Sequence, residues 1–415
     1  MANNFSKWLY PGIKVKRWML ISLFGILVVG IGAAFFVSPY SFVRTFATII
    51  ILCGVVFIIL GMGKIIVSLL TLFLPERERD IVDILYQRRY LERGPKIVAI
   101  GGGHGLSNLL LGLKEYTANL TAIVTVADSG GSSGRLREEF NILAPGDIRN
   151  CLVALADAPA LMGELFQYRF AQDSQLKGHN FGNLFLTAMV QITQGDFKKA
   201  VEECSKVLAI RGKVIPSTVH NVHLVAEYVD GSRTQGEAKI PRVNLSIKRL
   251  YLTDQDAQPT AEALTAIAGA DIIVLGPGSL YTSIIPNLII KRVPETIIKS
   301  PAYKIYVCNV MTQSGETDGF TAYDHIRVLV EHSHPRIVDA CMVNDAMVPE
   351  NALARYRLEN SYPVAPDIEQ IKAAGYKVVA TDLLGVKDYV RHDSQKLTQA
   401  LIKLIERKRK RVIKR

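Results

Sequence analysis

Apolar positions along the chain follow two different patterns. Residues 18–37 and 46–63 are uncharged, almost uninterrupted apolar runs. Each is close to the ~20 residues that a helix needs to cross the hydrocarbon core of a bilayer. Beyond Arg93, short apolar runs alternate with polar and glycine-rich segments. The first pattern predicts two transmembrane helices within 18–74, and the second is typical of a soluble α/β domain.

The soluble part begins with a strand, a turn and a helix. Residues 96–100 form a short β-rich run, four glycines and His104 follow at 101–105, and Leu106 and Leu109 begin a helical spacing. Because 120–127 has the pattern of a second strand, the unit is βαβ and predicts a parallel sheet with helices on its faces. Further buried strands are predicted at 272–275, 305–310 and 378–380.

Residues 222–247 differ from this pattern, since they alternate apolar and polar side chains and contain Asp230-Gly231. This alternation predicts an antiparallel hairpin inserted in the domain. We therefore expect a Rossmann-like α/β fold, a three-layer parallel sheet with a small β-hairpin insertion. An N-terminal two-helix transmembrane hairpin precedes it.

These patterns divide the chain into five segments. They are a basic cytoplasmic N-terminus (1–17), two transmembrane helices (18–74), a linker (75–95), the α/β domain (96–392) and a basic C-terminal helix or tail (393–415).

The orientation of the transmembrane hairpin follows from its flanking charges. Basic residues at positions 7, 14, 16 and 17 precede the first span and favour a cytoplasmic N-terminus. Two crossings return the chain to the cytoplasm, which predicts a multi-pass protein of the bacterial cell membrane with its main domain in the cytoplasm. The alternative is a cleaved signal peptide, but the first run is too long and lacks a clear A-x-A cleavage site.

Charge is concentrated at the ends of the 415-residue chain. The formal net charge is +11, yet most of the excess lies before residue 18 and after residue 402, which argues against a nucleic-acid-binding surface. Leu397, Leu401 and Ile405 predict a terminal helix with a cationic end. That end lies near an anionic leaflet or is a solvated tail. The five cysteines have no close spacing, so they predict neither a C-x-x-C metal site nor a redox pair.

Two glycine-rich segments have the chemistry of phosphate-binding loops. Where a strand enters a helix, glycines let backbone amides approach a phosphate, and the first candidates are Gly101, Gly102, Gly103, His104 and Gly105. Leu106 stands where G-x-G-x-x-G has its last glycine, so a dehydrogenase is not indicated. The second segment ends a strand, and its candidates are Asp128, Ser129, Gly130, Gly131, Ser132 and Ser133. The alternatives are a tight turn for the first and a linker for the second.

Three further clusters supply polar groups. Asp147, Arg149 and Asn150 open one helix, either to orient a ligand or as a structural ion pair. His179, Asn180 and Asn183 open another, and His179 is either a general base or phosphate donor or a structural cap. The third cluster, a second anion-binding turn or a rigid turn, consists of Gly276, Pro277, Gly278 and Ser279, with Asn309 after the next strand.

Taken together, these motifs carry a family resemblance. They stand at 101–107 (GGGHGLS), 126–137 (VADSGGSSGRLR), 145–151 (PGDIRNC), 178–183 (GHNFGN), 276–284 (GPGSLYTSI) and 308–319 (CNVMTQSGETDG). The chain resembles the bacterial YvcK-type gluconeogenesis factors, which are relatives of the CofD 2-phospho-L-lactate transferases. The resemblance implies a Rossmann-like fold, cytoplasmic location, UDP-sugar binding, and a role in cell shape and envelope growth on gluconeogenic carbon sources.

The transferase relatives imply a second hypothesis: magnesium-dependent transfer of a phospholactyl-type group from a guanine dinucleotide to a deazaflavin. In that case Asp128 and Asp147 would hold Mg²⁺, His179 would activate the acceptor hydroxyl, and Arg149 would offset developing charge. Ser129 departs from the family pattern of two aspartates, and His104 replaces a threonine.

We favour a regulator that requires no cofactor and binds a UDP-sugar of the UDP-N-acetylglucosamine type. Its other expected partners are membrane lipid around 18–74 and envelope-synthesis proteins. Further copies of the same chain, in a homo-oligomer, are an additional alternative. Nucleic acid is not among the expected partners.

Overall fold

The computed structural model describes residues 15–73, 90–157, 160–171, 174–386 and 389–413. The chain forms two compact units, Met1–Arg89 and Tyr90–Arg415. The predicted basic N-terminus lies outside the described residues up to position 14, as does the predicted linker up to position 89.

The first unit is a pair of helices, α1 (Val15–Phe36) and α2 (Ser41–Phe73). Glycines allow the two backbones to approach closely, since a Cβ added to Gly25 would lie 2.7 Å from the Gly54 carbonyl oxygen. Small residues at such crossings are typical of transmembrane helix pairs. Both helices are long and apolar enough to cross a membrane, judged by length and composition.

The second unit is built on twelve described strands. They are β1 Ile97–Gly101, β2 Leu120–Val124, β3 Lys213–Pro216, β4 Leu224–Tyr228, β5 Arg233–Gln235, β6 Ile247–Leu252, β7 Ile272–Leu275, β8 Tyr303–Val307, β9 Ala340–Asn344, β10 Lys377–Thr381, β11 Leu384–Val386 and β12 Val390–His392.

Helices connect these strands. They are α3 Gly103–Leu113, α4 Gly131–Phe140, α5 Gly146–Leu155, α6 Ala160–Gln167, α7 Phe181–Ile192, α8 Phe197–Val207, α9 Ala261–Ala268, α10 Ile285–Leu288, α11 Val293–Lys299, α12 Ala322–Glu331, α13 Glu350–Leu358, α14 Ile368–Ala373 and α15 Ser394–Ile413. Short 3₁₀ turns lie at Glu237–Arg242 and Pro335–Ile337, and a π turn lies at Leu280–Ile284.

In the described part of the chain, seven strands form one parallel sheet in the order β10-β9-β8-β7-β1-β2-β3. Every residue of β1 is buried, as expected for a central strand covered by helices on both faces. From β1 the chain moves outward to β2 and β3, whereas from β7 it moves the other way to β8, β9 and β10. The strand order therefore reverses between β1 and β7, and ligands of doubly wound sheets bind at the carboxyl ends of such a pair.

The predicted α/β fold is confirmed, with its inserted antiparallel segment larger than a hairpin. Strands β4, β5 and β6 form a three-stranded antiparallel sheet in the order β5-β4-β6. Strands β3 and β9 were not predicted from the pattern.

Candidate functional site

Two glycine turns meet at the point where the strand order reverses. Strands β1 and β7 pair in parallel, with Ile100 beside Leu275, and the Gly276 backbone nitrogen donates a hydrogen bond to the Ile100 carbonyl oxygen at 2.9 Å. Because the two strands end together, the turn 101–105 after β1 lies beside the turn 276–279 after β7. Segments about 175 positions apart in sequence thus form one site.

The contact between the two turns is too close for side chains. A Cβ on Gly105 would lie 2.6 Å from the Pro277 carbonyl oxygen, and one on Gly278 would lie 3.2 Å from the Gly102 carbonyl oxygen. Gly278 also has a backbone φ of 154°, which side-chain-bearing residues rarely adopt. The Gly278 nitrogen is held by the Asn309 Oδ1 at 3.3 Å, which joins the end of β8 to the same turn.

A cleft of about 460 Å³ opens beside these turns, within the size range of small-molecule sites. The turns form one wall, and residues of the 309–313 segment, α13 and the 389–392 segment form the rest. Its lining includes Gly102, Gly103, His104, Gly105, Asn108, Glu237, Pro277, Gly278, Ser279, Asn309, Gln313, Tyr356, Tyr389, Arg391 and His392.

Four carboxyl groups, which we call the acid cluster, surround the turns: Asp128, Asp147, Glu237 and Glu316. Burial, with a second contribution from the Asp128 charge, raises the pKa of Asp147 to about 7 and that of Glu237 to about 8. Burial also raises the pKa of Glu316 to about 7. Like charges kept close together in a poorly solvated site favour either protons or a bound cation.

Glu316 is hydrogen-bonded to the second glycine turn and to the π turn that follows it. It is 7% exposed, and its carboxylate accepts hydrogen bonds from the hydroxyls of Ser279 and Thr282. Ser279 in turn caps the π turn by accepting from the Thr282 backbone nitrogen at 3.1 Å. Glu316 therefore positions Ser279, which lines the cleft.

Asp147 supports the first glycine turn in the same way. Its carboxyl group lies against Gly102, where a Cβ would collide with it, and accepts a hydrogen bond from the Gly103 backbone. Asp128 Oδ1 accepts from the Gly130 nitrogen at 2.8 Å and so shapes the start of α4. Ser129 Oγ accepts from the Ala238 nitrogen at 3.1 Å, which ties this loop to the 3₁₀ turn that carries Glu237.

A polar network joins the first turns of α4 and α7. Ser132 Oγ accepts from the Asn180 nitrogen and from Asn183 Nδ2, both at 3.2 Å, and lies 3.2 Å from His179 Nδ1. Asn183 Nδ2 is 3.5 Å from Ser133 Oγ. His179 is buried, and burial lowers its pKa, so the ring is neutral at pH 7.

His104 lies in a positively charged environment. Burial is the largest cause that lowers its pKa, followed by the charges of Arg391 and Arg149. The lowered pKa favours the neutral form of the ring at pH 7.

Asp128 and Asp147 fit the chemistry that Mg²⁺ requires, because carboxylate oxygens are its preferred protein ligands. Among the described residues, no group of three or more His, Cys, Asp or Glu side chains is placed to hold a metal ion. Mg²⁺ commonly binds through one or two carboxylates plus phosphate oxygens and water. The pair therefore suits a cation that arrives with a phosphate ligand.

The predicted site residues lie in two neighbouring groups. Gly102, Gly103, His104, Gly105, Pro277, Gly278, Ser279 and Asn309 line the cleft. Gly101 and Gly276 end β1 and β7 beneath it. Asp128, Ser129, Gly130, Gly131, Ser132, Ser133, Asp147, Arg149, Asn150, His179, Asn180 and Asn183 lie outside the cleft lining, on α4, α5 and α7 or in the loops before them.

Sequence reasoning missed three parts of the cleft, one of which is the helix α13 with Tyr356. Glu237 belongs to the inserted segment, which showed only a hairpin pattern. Tyr389 and Arg391 belong to a short stretch near the C-terminal helix, in the sequence Tyr-Val-Arg-His-Asp. That run of aromatic and charged residues was a usable signal, but nothing in its spacing indicated that it lies at the cleft beside α3.

A second cavity, of about 640 Å³, lies elsewhere, between the end of α4, the start of α8 and the start of α9. None of the predicted site residues lines it.

The family model described as 2-phospho-L-lactate transferase CofD matches residues 97–384. A relative from Nostoc sp. (strain PCC 7120), named "Putative gluconeogenesis factor", is 46% identical over 424 residues, which cover 97% of this chain and 93% of the relative. The "Gluconeogenesis factor" of Bacillus subtilis (strain 168) is 49% identical over 313 residues, covering 75% of this chain and 98% of that protein.

A solved structure is also similar to this chain. The crystal structure of a UPF0052-family protein from Bacillus halodurans superposes with a TM-score of 0.73 and 45% sequence identity, and covers 75% of this chain and 99% of that chain.

Proposed function

Because this chain belongs to the CofD family and is related over nearly its whole length to gluconeogenesis factors, we propose that it is a membrane-anchored, cytoplasm-facing regulator that binds a UDP-sugar. In this proposal the protein is needed for cell shape and envelope growth on gluconeogenic carbon sources. Ligand occupancy alters its contacts with envelope-synthesis proteins.

One observation supports the proposed UDP-sugar binding. The two glycine turns share one cleft at the point where the strand order reverses, between β1 and β7. The first turn of α3 has backbone N–H groups with no acceptor inside the helix. This N-terminus favours negative charge and suits the phosphates of a nucleotide diphosphate. The remaining volume and polar lining suit a base and a sugar.

The proposed membrane location is supported by the helices of the first unit. Two helices of sufficient length and apolarity precede the domain, and the basic residues before the first helix favour a cytoplasmic start. An even number of crossings then leaves the cleft on the cytoplasmic side, where sugar nucleotides are available.

Isothermal titration of the full chain in detergent with UDP-N-acetylglucosamine tests the proposal. Saturable one-to-one binding, with no product formed over hours of incubation with Mg²⁺, supports a regulator. Absence of binding at millimolar ligand contradicts it. Guanine dinucleotides serve as the comparison ligands.

The acid cluster favours a second candidate, a magnesium-dependent transferase of the 2-phospholactate type. In that reaction Mg²⁺ would supply charge neutralisation at the transferred phosphate, with Asp128 and Asp147 holding it. His179 is neutral and so has the protonation state of a general base. A product assay with a guanine-dinucleotide donor, Mg²⁺ and an alcohol acceptor distinguishes the two candidates. Turnover that is lost in Asp128→Ala supports the transferase over the regulator.

A further inference from the structure

The N-termini of two helices meet outside the nucleotide cleft. Helices α4 and α7, of ten and twelve residues, are joined through Ser132, which binds Asn180 and Asn183 in the first turn of α7. Each N-terminus has the equivalent of about half a positive charge in the dipole picture. Their meeting point therefore attracts an anion.

A buried guanidinium points into this meeting point. Arg149 is 9% exposed, and its Nε donates to Asn183 Oδ1 at 3.2 Å. Among the described residues, no acceptor bonds its two terminal amino groups, and no carboxylate lies within 4.0 Å of them. A guanidinium with unbonded terminal amino groups can bind a carboxylate or phosphate through two parallel N–H···O bonds.

Two exposed arginines bind the turn that precedes α7. Arg169 Nη1 donates to the Gly178 carbonyl oxygen at 2.7 Å, and Arg135 Nη2 donates to the Lys177 carbonyl oxygen at 2.9 Å. Both flank the turn that carries His179. Two carboxylates, Asp147 and then Asp128, interact electrostatically with Arg149.

The meeting point is next to the nucleotide cleft. Arg149 and Asp147 share the first turn of α5, and the Asp147 carboxyl group contacts the glycine turn that forms the cleft wall. A ligand whose phosphates lie on that turn therefore has its reacting or terminal group within reach of α5.

We propose that Arg149 and the first turns of α4 and α7 form a second oxyanion subsite. It takes an acidic group of the bound ligand, so the preferred ligand is a sugar nucleotide that carries a carboxylate on its sugar. This inference rests on the proposed sugar-nucleotide binding. A separate inorganic anion has the same chemistry, and the test below distinguishes the two sources.

The test compares UDP-glucuronate with UDP-glucose, which differ only at C6, by isothermal titration of the full chain in detergent. A charge-assisted hydrogen bond predicts roughly tenfold tighter binding of UDP-glucuronate. In a second arm, inorganic phosphate is titrated into the protein with and without UDP-glucose.

Variants assign the effect to the subsite. Arg149→Gln brings the ratio of the UDP-glucuronate and UDP-glucose affinities close to one. Arg169→Gln lowers the same ratio, and Arg169 is exposed, so folding tolerates this substitution. Arg336→Gln, at the opposite edge of the sheet before β9, leaves the ratio unchanged. Phosphate that binds together with UDP-glucose and is lost in Arg149→Gln also supports the subsite, but as the site of a separate anion.

Equal affinities for the two sugar nucleotides, together with no Arg149-dependent phosphate binding, overturn the inference while the proposed function stands. If neither sugar nucleotide binds, the proposed function fails. The phosphate arm then still reports whether the subsite exists.

Discussion

The Cα of Gly105 faces the backbone of Pro277 so closely that a Cβ there would lie 2.6 Å from the Pro277 carbonyl oxygen and 2.8 Å from its carbonyl carbon. The contacted atoms are backbone, which cannot rotate away as a side chain can. Glycine at 105 is therefore a condition for the two turns to lie together, and the shared cleft depends on that contact.

Replacing Gly105 by valine should separate the turns. We expect the affinity for UDP-N-acetylglucosamine to fall at least about tenfold, equivalent to roughly 1.4 kcal/mol, in isothermal titration. The matched control is Gly163→Val on α6, since a Cβ added there has no atom within 4 Å apart from its chain neighbours and the helix's own backbone. Unchanged affinity in Gly105→Val would mean that the turns do not hold the ligand.

Replacing Glu316 by alanine should weaken UDP-sugar binding, although Glu316 does not line the cleft. The hydroxyls of Ser279 and Thr282 lose their buried acceptor, so the second turn loses its support. We expect several-fold weaker UDP-sugar binding for Glu316→Ala and near wild-type binding for Glu316→Gln, whose amide oxygen still accepts. Equal losses in both variants would show that the charge, rather than the hydrogen bonds, matters.

Stability of the unliganded protein should fall as the pH rises from 6.5 to 8.5. The pKa of Glu316 is raised in the folded state to about 7 and that of Glu237 to about 8. Folding therefore favours their protonated forms, and this stabilisation is lost as pH rises through those values. The window lies above the range in which His392, with a pKa lowered by burial to about 4, contributes.

We expect the melting temperature to decrease by roughly 5 °C across this window. The decrease should be smaller in Glu316→Gln, which has no carboxyl group to ionise there. Differential scanning fluorimetry at constant ionic strength measures both proteins. A wild-type melting temperature that rises with pH would contradict the raised pKa values.

Membrane topology can be tested with a reporter fused after Arg93. The charge distribution predicts a cytoplasmic position, so a fused fluorescent protein should be active and a fused alkaline phosphatase inactive. The control is a fusion in the loop between α1 and α2, at Ser38, for which the opposite result is expected. External exposure after Arg93 would contradict a cytoplasmic cleft.

The strand–glycine–helix pattern at 96–113 was sufficient to predict β1, its turn and α3, because a buried central strand is a continuous apolar run. The pairing of β1 with β7 was not predictable from any local pattern, since it depends on the order of strands within the sheet. Glu237 and Arg391 were missed for the same reason. Each lies far from the glycine turns in sequence, and only the fold brings it to the cleft.

A crystal structure of the protein with UDP-N-acetylglucosamine bound measures the central claim most directly. The account predicts that the diphosphate lies between the backbone amides of 102–105 and the turn 277–279. Ligand bound instead in the cavity between α4, α8 and α9, with the cleft between the glycine turns empty, would contradict it.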